Sequence, residues 1–297
     1  MTATLSRGRD ETQTAYKVQR LTNPDEIRPL LESDRAYAAY AIAQLDPQLF
    51  DESEWYTATG PEGQALALHS RSGLGRALFV SGDPGGIGAI LSLHPGPRFS
   101  FGSLRLEHRR HIEKYFVFTR HHTMLRMSIT SATFKSAEGA AVRLHGGDLP
   151  AVNRLYSSEG GPASYSASHI EDAVYYGVMM DGALVSIAGT HVVSPTEGVA
   201  VVGNVFTHPR YRGLGLSTTA TSAVTSDLLE RCPLVVLTVE EGNDPAVRIY
   251  ERLGYQTRCK LHETPLIRKE PLGVLSLSRR LIAAWRGRAE GKKLVLR

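Results

Sequence analysis

The apolar and polar positions along the chain fall into segments of two periods. In "NPDEIRPLLESDRAYAAYAIAQL", residues 23–45, apolar residues recur at helical spacing and predict a helix. Shorter runs, "QALALHS", "GRALFVSG", "RFSFGSLRL", "KYFVFT" and "LRMSIT", alternate or are continuously apolar and read as strands. One of them continues into glycines, "ALFVSGDPGGIGAIL". Leu91 stands where the third glycine of a dinucleotide fingerprint belongs, so this stretch reads as a turn.

A second set of elements begins near Ala140. "AAVRL" is a strand, and "GGDLPAVNRLYSSEG" is a helix with Asp148 as N-cap and Pro150 in its first turn. "AVYYGVMMDGALVSIAGTHVV" holds two strands about an Asp181-Gly182 turn. The strand "GVAVVGNVFT" leads through a glycine loop into a helix from Leu216 to Arg231, on which Ala220, Val224 and Leu228 keep helical spacing. "PLVVLTVEEG" is a buried-type strand. "NDPAVRIYERLG" is a helix capped by Asn243 or Asp244, with Pro245 at its first position and Gly254 past its end, and "YQTRCKLHET" is the closing strand. Beyond Pro265, "GVLSLSRRLIAAW" sets Val274, Leu277, Leu281 and Trp285 on one stripe, expected to pack against its own domain. The pattern predicts an α+β chain with a disordered tail (1–15), a first domain (16–135), a second (136–264), and a basic helix and tail (265–297).

Composition changes this picture little. With 297 residues, 42% hydrophobic and 22% charged, the chain can bury the core of two domains. No secretory or membrane-spanning run is present in the sequence, and Cys232 and Cys259 lie in no metal-ligand spacing, so a reducing, cytoplasmic setting is expected. The net charge of +4 is concentrated around Arg109 and in the C-terminal segment. Neither cluster carries a nucleic-acid-binding motif, which disfavours that class of partner. His108 with His111 and His121 with His122 lack a third ligand at matching spacing, so no metal is expected.

The chemistry concentrates in "NVFTHPRYRGLGLSTTA", residues 204–220. A strand, a proline turn, a glycine loop and a helix start together make an anion site, because the first N–H groups of a helix have no partner within it. Gly213 and Gly215 remove side chains that would block a diphosphate, and Arg212 adds positive charge.

This loop, "RGLGLS", together with "NDPAVRIYERLGY" further on, resembles the two best-marked motifs of the GNAT superfamily of acyl-CoA-dependent N-acyltransferases, over roughly Ala140 to His262. The resemblance implies a GNAT fold, a mixed sheet flanked by helices, with a second and degenerate GNAT-like domain in front. It implies that "GVAVVGNVFT" and "PLVVLTVEE" splay apart, with acetyl-CoA as co-substrate in the gap. Val205, Phe206 and Thr207 would line the pantetheine arm, and the amides of Gly213, Leu214, Gly215, Leu216, Ser217 and Thr218 beside Arg212 would take the diphosphate. Asn243 matches the asparagine near the pantetheine, and Tyr250 matches the tyrosine near the sulfur. Because the first half carries no glycine loop after "RFSFGSLRL", its expected task is to wall off the acceptor pocket.

An amine of pKa near ~10 must lose a proton before it attacks a thioester. The tetrahedral oxyanion so formed could be held by the Val205 N–H, and the departing thiolate protonated by Tyr250. Many members of the family place a glutamate on the strand before the loop, whereas here Asn204 stands there and can orient substrate or water but not serve as base. Glu240, Glu241, His169, His191 and water remain as candidates. The expected function is acetyl transfer to a primary amine of a small molecule, with no membrane and with a homodimer allowed. The alternatives are an idle acyl-CoA-binding or regulatory module, and a protein- or RNA-associated acetyltransferase.

Overall fold

The computed structural model describes residues 16–71, 75–120, 122–159 and 165–295, with side chains to residue 285. The expected tail at 1–15, His121 and part of the loop before Tyr165 lie outside the described residues. The first half contains β1 (Lys17–Leu21), α1 (Pro24–Glu32), α2 (Arg35–Ala43), α3 (Pro47–Phe50), β2 (Ser53–Gly60), β3 (Gly63–Ser70), β4 (Ala77–Gly82), α4 (Pro84–Leu93), β5 (Phe99–Arg105), α5 (Arg109–Ile112), β6 (Phe116–Phe118) and β7 (Thr123–Ile129). The second contains β8 (Val142–Arg143), α6 (Leu149–Tyr156), α7 (Ala167–Asp172), β9 (Tyr176–Met180), β10 (Ala183–Ser194), β11 (Val199–Thr207), α8 (Leu216–Leu229), β12 (Leu234–Glu240), α9 (Asp244–Leu253) and β13 (Gln256–Arg268), followed by α10 (Val274–Val295).

Local chemistry accounts for most boundaries. The single helix expected over 23–45 is two, because Asp34 turns its carboxylate onto the Tyr37 amide at 3.1 Å and starts a new helix. The β9–β10 hairpin turns at Asp181 and Gly182, both at positive φ, as a two-residue turn of this kind requires. Asn243 caps α9 through Ala246 N–H at 3.3 Å, and Gly254 ends the same helix in the left-handed region. Asp148 differs from expectation. Its carboxylate accepts from the His145 amide at 2.8 Å and makes no side-chain cap bond to α6.

The strands join one 13-stranded sheet in the order β1-β2-β3-β4-β5-β13-β7-β12-β11-β10-β9-β8, with β6 paired to β13. The order reads as a palindrome of pairing types about the β13–β7 contact. On each side an antiparallel neighbour is followed by a parallel pair, β4–β5 or β11–β12, and then by antiparallel strands to the edge. Each half is therefore a GNAT-like unit, and each lends its last long strand to the other. β7 of the first half lies on β12, and β13 of the second lies on β5. The chain boundary after residue 135 thus divides the sequence without dividing the sheet. One core cluster mixes Ile27, Ile42, Trp55 and Phe79 of the first half with Val199, Val201 and Val236 of the second.

Helix α2 carries alanine on nearly every side and is buried along most of its length, so it can approach both halves closely. It contacts β10 and β11, which places Tyr40 of the first half over the second half's parallel pair.

The palindrome identifies the first half's counterpart of the glycine loop, and it is not the segment after "RFSFGSLRL". It is "GDPGGIG", which the sequence reads as a plain turn but which runs from the last residue of β4 through Asp83 into the first turns of α4. The Asp83 carboxylate occupies the helix start itself, accepting from the Gly86 amide at 2.6 Å. The splay between β4 and β5 is filled as well. Their pairing stops at Phe79↔Ser103, and the buried Tyr37 hydroxyl then donates to the Val80 carbonyl at 2.6 Å and accepts from the Arg105 amide at 3.2 Å. Degeneracy in this half means that its own side chains satisfy the anion site and the strand gap.

The C-terminal helix also departs from expectation. It touches α4, with Arg279 donating to the Ser92 carbonyl at 3.4 Å, but Val274, Leu277, Leu281 and Trp285 are all exposed. Among the described residues no helix is long and apolar enough to cross a membrane.

Removing the Tyr37 hydroxyl leaves two buried main-chain groups unpaired, and each such group costs about 1–3 kcal/mol. Tyr37→Phe is expected to lower the unfolding free energy by about that amount in urea melts, with the m-value unchanged.

Candidate active site

β11 and β12 are paired in parallel only from Val199↔Leu234 to Val202↔Leu237, although the strands continue to Thr207 and Glu240. Beyond that point they part around a cleft of about 680 Å³. Its walls include Asn204, Val205, Phe206, Thr207 and Asn243 along the strands and the start of α9, with Tyr250 deeper in. At the loop end they include Arg212, Gly213, Gly215, Leu216 and Ser217. Eleven of the thirteen residues expected to act thus meet in one cavity, whereas Leu214 and Thr218 are not part of its wall. Leu214 instead projects into solvent.

The loop has the form an anion needs. Gly213 and Gly215 sit at φ of 83° and 80°, and a Cβ on either would meet nothing within 4 Å, so the turn is open to solvent. Among the described residues the amides from Gly213 to Ser217 have no acceptor, and Gly215 caps α8 with no side chain of its own. Arg212 is already engaged, its guanidinium donating to Glu159 at 2.5 Å and to the Thr207 carbonyl at 3.3 Å. Charge at this mouth is therefore shared with an acidic partner.

Two facing bulges shape the cleft's inner end. Between Gly203 and Phe206, β11 has two residues opposite one of β10, and Asn204 takes a φ of 55°. Between Thr190 and Val192, β10 has its own extra residue, His191. A Cβ on Gly203 would lie 2.2 Å from His191 Nε2, so the imidazole fits only because residue 203 is glycine.

A hydrogen-bonded row runs through these bulges. Asn204 Nδ2 donates to the Tyr175 hydroxyl at 2.7 Å, which leaves Oδ1 to accept from His191 Nε2 at 3.3 Å. The Nε2–H tautomer follows, so His191 Nδ1 is the lone pair and takes the hydrogen of the Tyr40 hydroxyl at 2.5 Å. On the other side the Tyr175 hydroxyl meets His169 Nε2 at 2.9 Å, and the Tyr156 hydroxyl donates to the Asn204 carbonyl at 2.6 Å. Burial pushes the His191 imidazole below its ordinary pKa, so it is neutral at pH 7. Burial raises the Tyr40 phenol, which keeps its proton. Tyr250 is 7% exposed, and burial pushes its phenol up to about 12, so it too is protonated and able to donate.

Of the residues considered as base, His191 alone is both in the cleft wall and part of this row. Glu240 also borders the cleft but is exposed and bonded to His122 at 2.6 Å, and Glu241 is paired with Lys260. His169 is one tyrosine further out and lines not the cleft but another pocket, which His191 also borders. Sequence reasoning missed Tyr40, Tyr156, Tyr175 and Glu263. Their roles depend on approaches between distant segments, and nothing in their local sequence signals them.

Comparison with known proteins defines the class. Residues 149–255 match the family model described as acetyltransferase (GNAT) family. The fold recurs in a GCN5-related N-acetyltransferase from Sphaerobacter thermophilus, with 16% identity, 85% of this chain and 95% of that chain covered, and a TM-score of 0.53. It recurs in another from Kribbella flavida, with 19% identity, 69% and 87% coverage, and a TM-score of 0.51. A tandem GNAT protein from the clavulanic acid biosynthesis pathway shares it at 13% identity, 86% and 99% coverage, and a TM-score of 0.50. The chain has a GNAT fold in two halves, and residues 149–255 of the second match the acetyltransferase (GNAT) family model.

Because the His191 ring occupies the space of a Cβ at residue 203, Gly203→Ala must displace it. Overpacking of this kind costs about 1–3 kcal/mol. A modest fall in melting temperature is expected, together with loss of the His191 imidazole resonance shift that reports the Tyr40 contact in NMR.

Proposed function

We propose that this protein transfers acetyl from acetyl-CoA to the primary amine of a small molecule by direct attack. The observation that carries the reading is the continuous cleft from the open amides of Gly213–Ser217 to the buried phenol of Tyr250. In this reading the free amides of the loop and the α8 N-terminus bind the diphosphate, and the unpaired edges of β11 and β12 take the pantetheine amides as a strand would. A cytoplasmic setting suits its two free cysteines.

The chemistry uses the groups described. An ammonium ion gives one proton through the Tyr40 hydroxyl to His191 Nδ1, and the freed amine lone pair forms a bond to the thioester carbonyl carbon. The Val205 amide, in the β11 bulge, stabilises the oxyanion. The C–S bond then breaks, sulfur takes the proton of Tyr250, and the nitrogen gives up its second proton to solvent. The phenolate and the imidazolium are reset through solvent. His191 supplies what the missing strand glutamate would have, which favours an enzyme over an idle acyl-CoA binder.

Isothermal titration with acetyl-CoA is expected to give a one-to-one complex, and release of free thiol to accompany acetylation of a primary amine. Absence of binding at millimolar acetyl-CoA would remove this reading. Tyr250→Phe should lower kcat by ~10²-fold with acetyl-CoA affinity nearly unchanged.

The kcat profile of the wild type should fall on the acid side as His191 becomes protonated, at a pH below ~6.5 because burial depresses its pKa. His191→Gln should abolish that acid limb as well as slow the reaction. A profile that keeps the same limb in the variant would exclude His191 as the base.

A further inference from the structure

A second cavity, of about 350 Å³, lies under α2 between the two halves. It shares His191 with the cleft, so one imidazole forms part of the wall of both. The two are joined a second time through Thr238, a cleft residue whose hydroxyl donates at 3.1 Å to Glu263, a cavity residue. His191 is therefore the point at which the cleft, bordered by Asn204, and this chamber, bordered by Tyr40, meet.

The chamber is strongly one-ended. Leu49, Leu68, Phe79, Phe101 and Val192 give it aliphatic and aromatic walls. Of its polar lining, Gln44 is spent on Ser53 and Ser70, and Ser103 accepts from Arg126. What is left gathers at the end nearest His191, namely the Tyr40 hydroxyl and Glu263. Glu263 Oε1 accepts from Arg126 and Thr238, at 3.2 and 3.1 Å, while Oε2 has no protein partner among the described residues. Arg126 itself is wholly buried beneath Tyr40, with its guanidinium carbon 5.0 Å from the ring centroid, and does not border the chamber.

Building on the acetyltransferase reading, we propose that this chamber is the acceptor site, and that the acceptor is a small monoamine with an apolar body. Its ammonium sits between Glu263 Oε2 and the Tyr40 hydroxyl, from which His191 takes the proton, and its alkyl or aryl body fills the apolar walls. The space holds on the order of ten waters, which such a body displaces. A second ammonium, as in a polyamine, would be buried among leucine and phenylalanine without a partner. The carboxylate of a free amino acid would find no cation in the wall, because Arg126 is wholly buried, does not border the chamber and meets Glu263 and Ser103 through Nη2.

The test uses the full-length protein with saturating acetyl-CoA, thiol release, and the amines propylamine, hexylamine, 2-phenylethylamine, spermidine and glycine. kcat/KM is expected to rise roughly 4-fold per methylene from propylamine to hexylamine, with 2-phenylethylamine also favoured and spermidine and glycine at least 10-fold poorer. Glu263 also holds a buried arginine, so Glu263→Gln perturbs folding as well as binding. Leu49→Asp and Phe101→Asp, at partly and well exposed positions of the wall, avoid that problem. Each should cut kcat/KM for hexylamine by 10-fold or more, and should abolish the thermal shift that 2-phenylethylamine gives the wild type, while acetyl-CoA affinity stays the same. Preference for spermidine or glycine, or variants that leave the ranking and the thermal shift unchanged, would overturn the chamber assignment while the acetyltransferase reading stands. Failure of the wild type to bind acetyl-CoA would bring down both.

Discussion

Two parallel strands that stop pairing before they end leave main-chain donors and acceptors facing a gap, and buried groups of that kind must find partners. β11 and β12 part after Val202↔Leu237, and β4 and β5 part after Phe79↔Ser103. The same constraint receives opposite answers in the two halves. In the first, the Tyr37 hydroxyl bridges Val80 and Arg105, and Asp83 caps the following helix. In the second, the gap is open, the helix start has only glycine before it, and the cleft runs the length of both. One tyrosine and one aspartate close in the first half what stands open in the second.

The exchange of β7 and β13 gives the silent half a part in the site. Because each strand lies in the other half's portion of the sheet, the halves share a core and cannot shift far relative to one another. That fixed relation lets the alanine-rich α2 rest on β10 and β11 and hold the Tyr40 hydroxyl 2.5 Å from His191. In the proposed reaction, preorganisation of this kind matters because a proton relay tolerates little error in distance. The bulges at His191 and Asn204 do the local aiming, and Gly203 gives the ring its space.

Local sequence made a good part of this legible. Asp181-Gly182 specifies its hairpin turn, Asn243 and Gly254 bracket α9, and the run from Asn204 to Ala220 shows a strand, an exposed glycine loop and a helix. Each of these depends on neighbours within a few residues, where turn and capping chemistry act. The stretch "GDPGGIG" was harder. It reads as a turn but is a strand end running through Asp83 into a helix, and only the sheet order shows that it is the counterpart of the Gly213–Ser217 loop. The apolar stripe of α10 has helical spacing whether or not anything covers it, so its exposure could not be read from the residues.

The sequence by itself determined the elements, the open anion loop and the family motifs, because these follow from backbone preference and short-range spacing. It also supplied His191 as one of several candidate bases, without a means of choosing among them. Tertiary structure alone put His191 in the cleft wall beside Tyr40, plugged the first half with Tyr37, and brought Tyr40, Glu263 and His191 together around a shared wall. Those contacts join distant positions, Tyr40 and His191 being 151 residues apart and Arg126 and Glu263 137 apart. Spacing along a chain carries no information about such approaches until strands from both halves have exchanged and the sheet has closed its register.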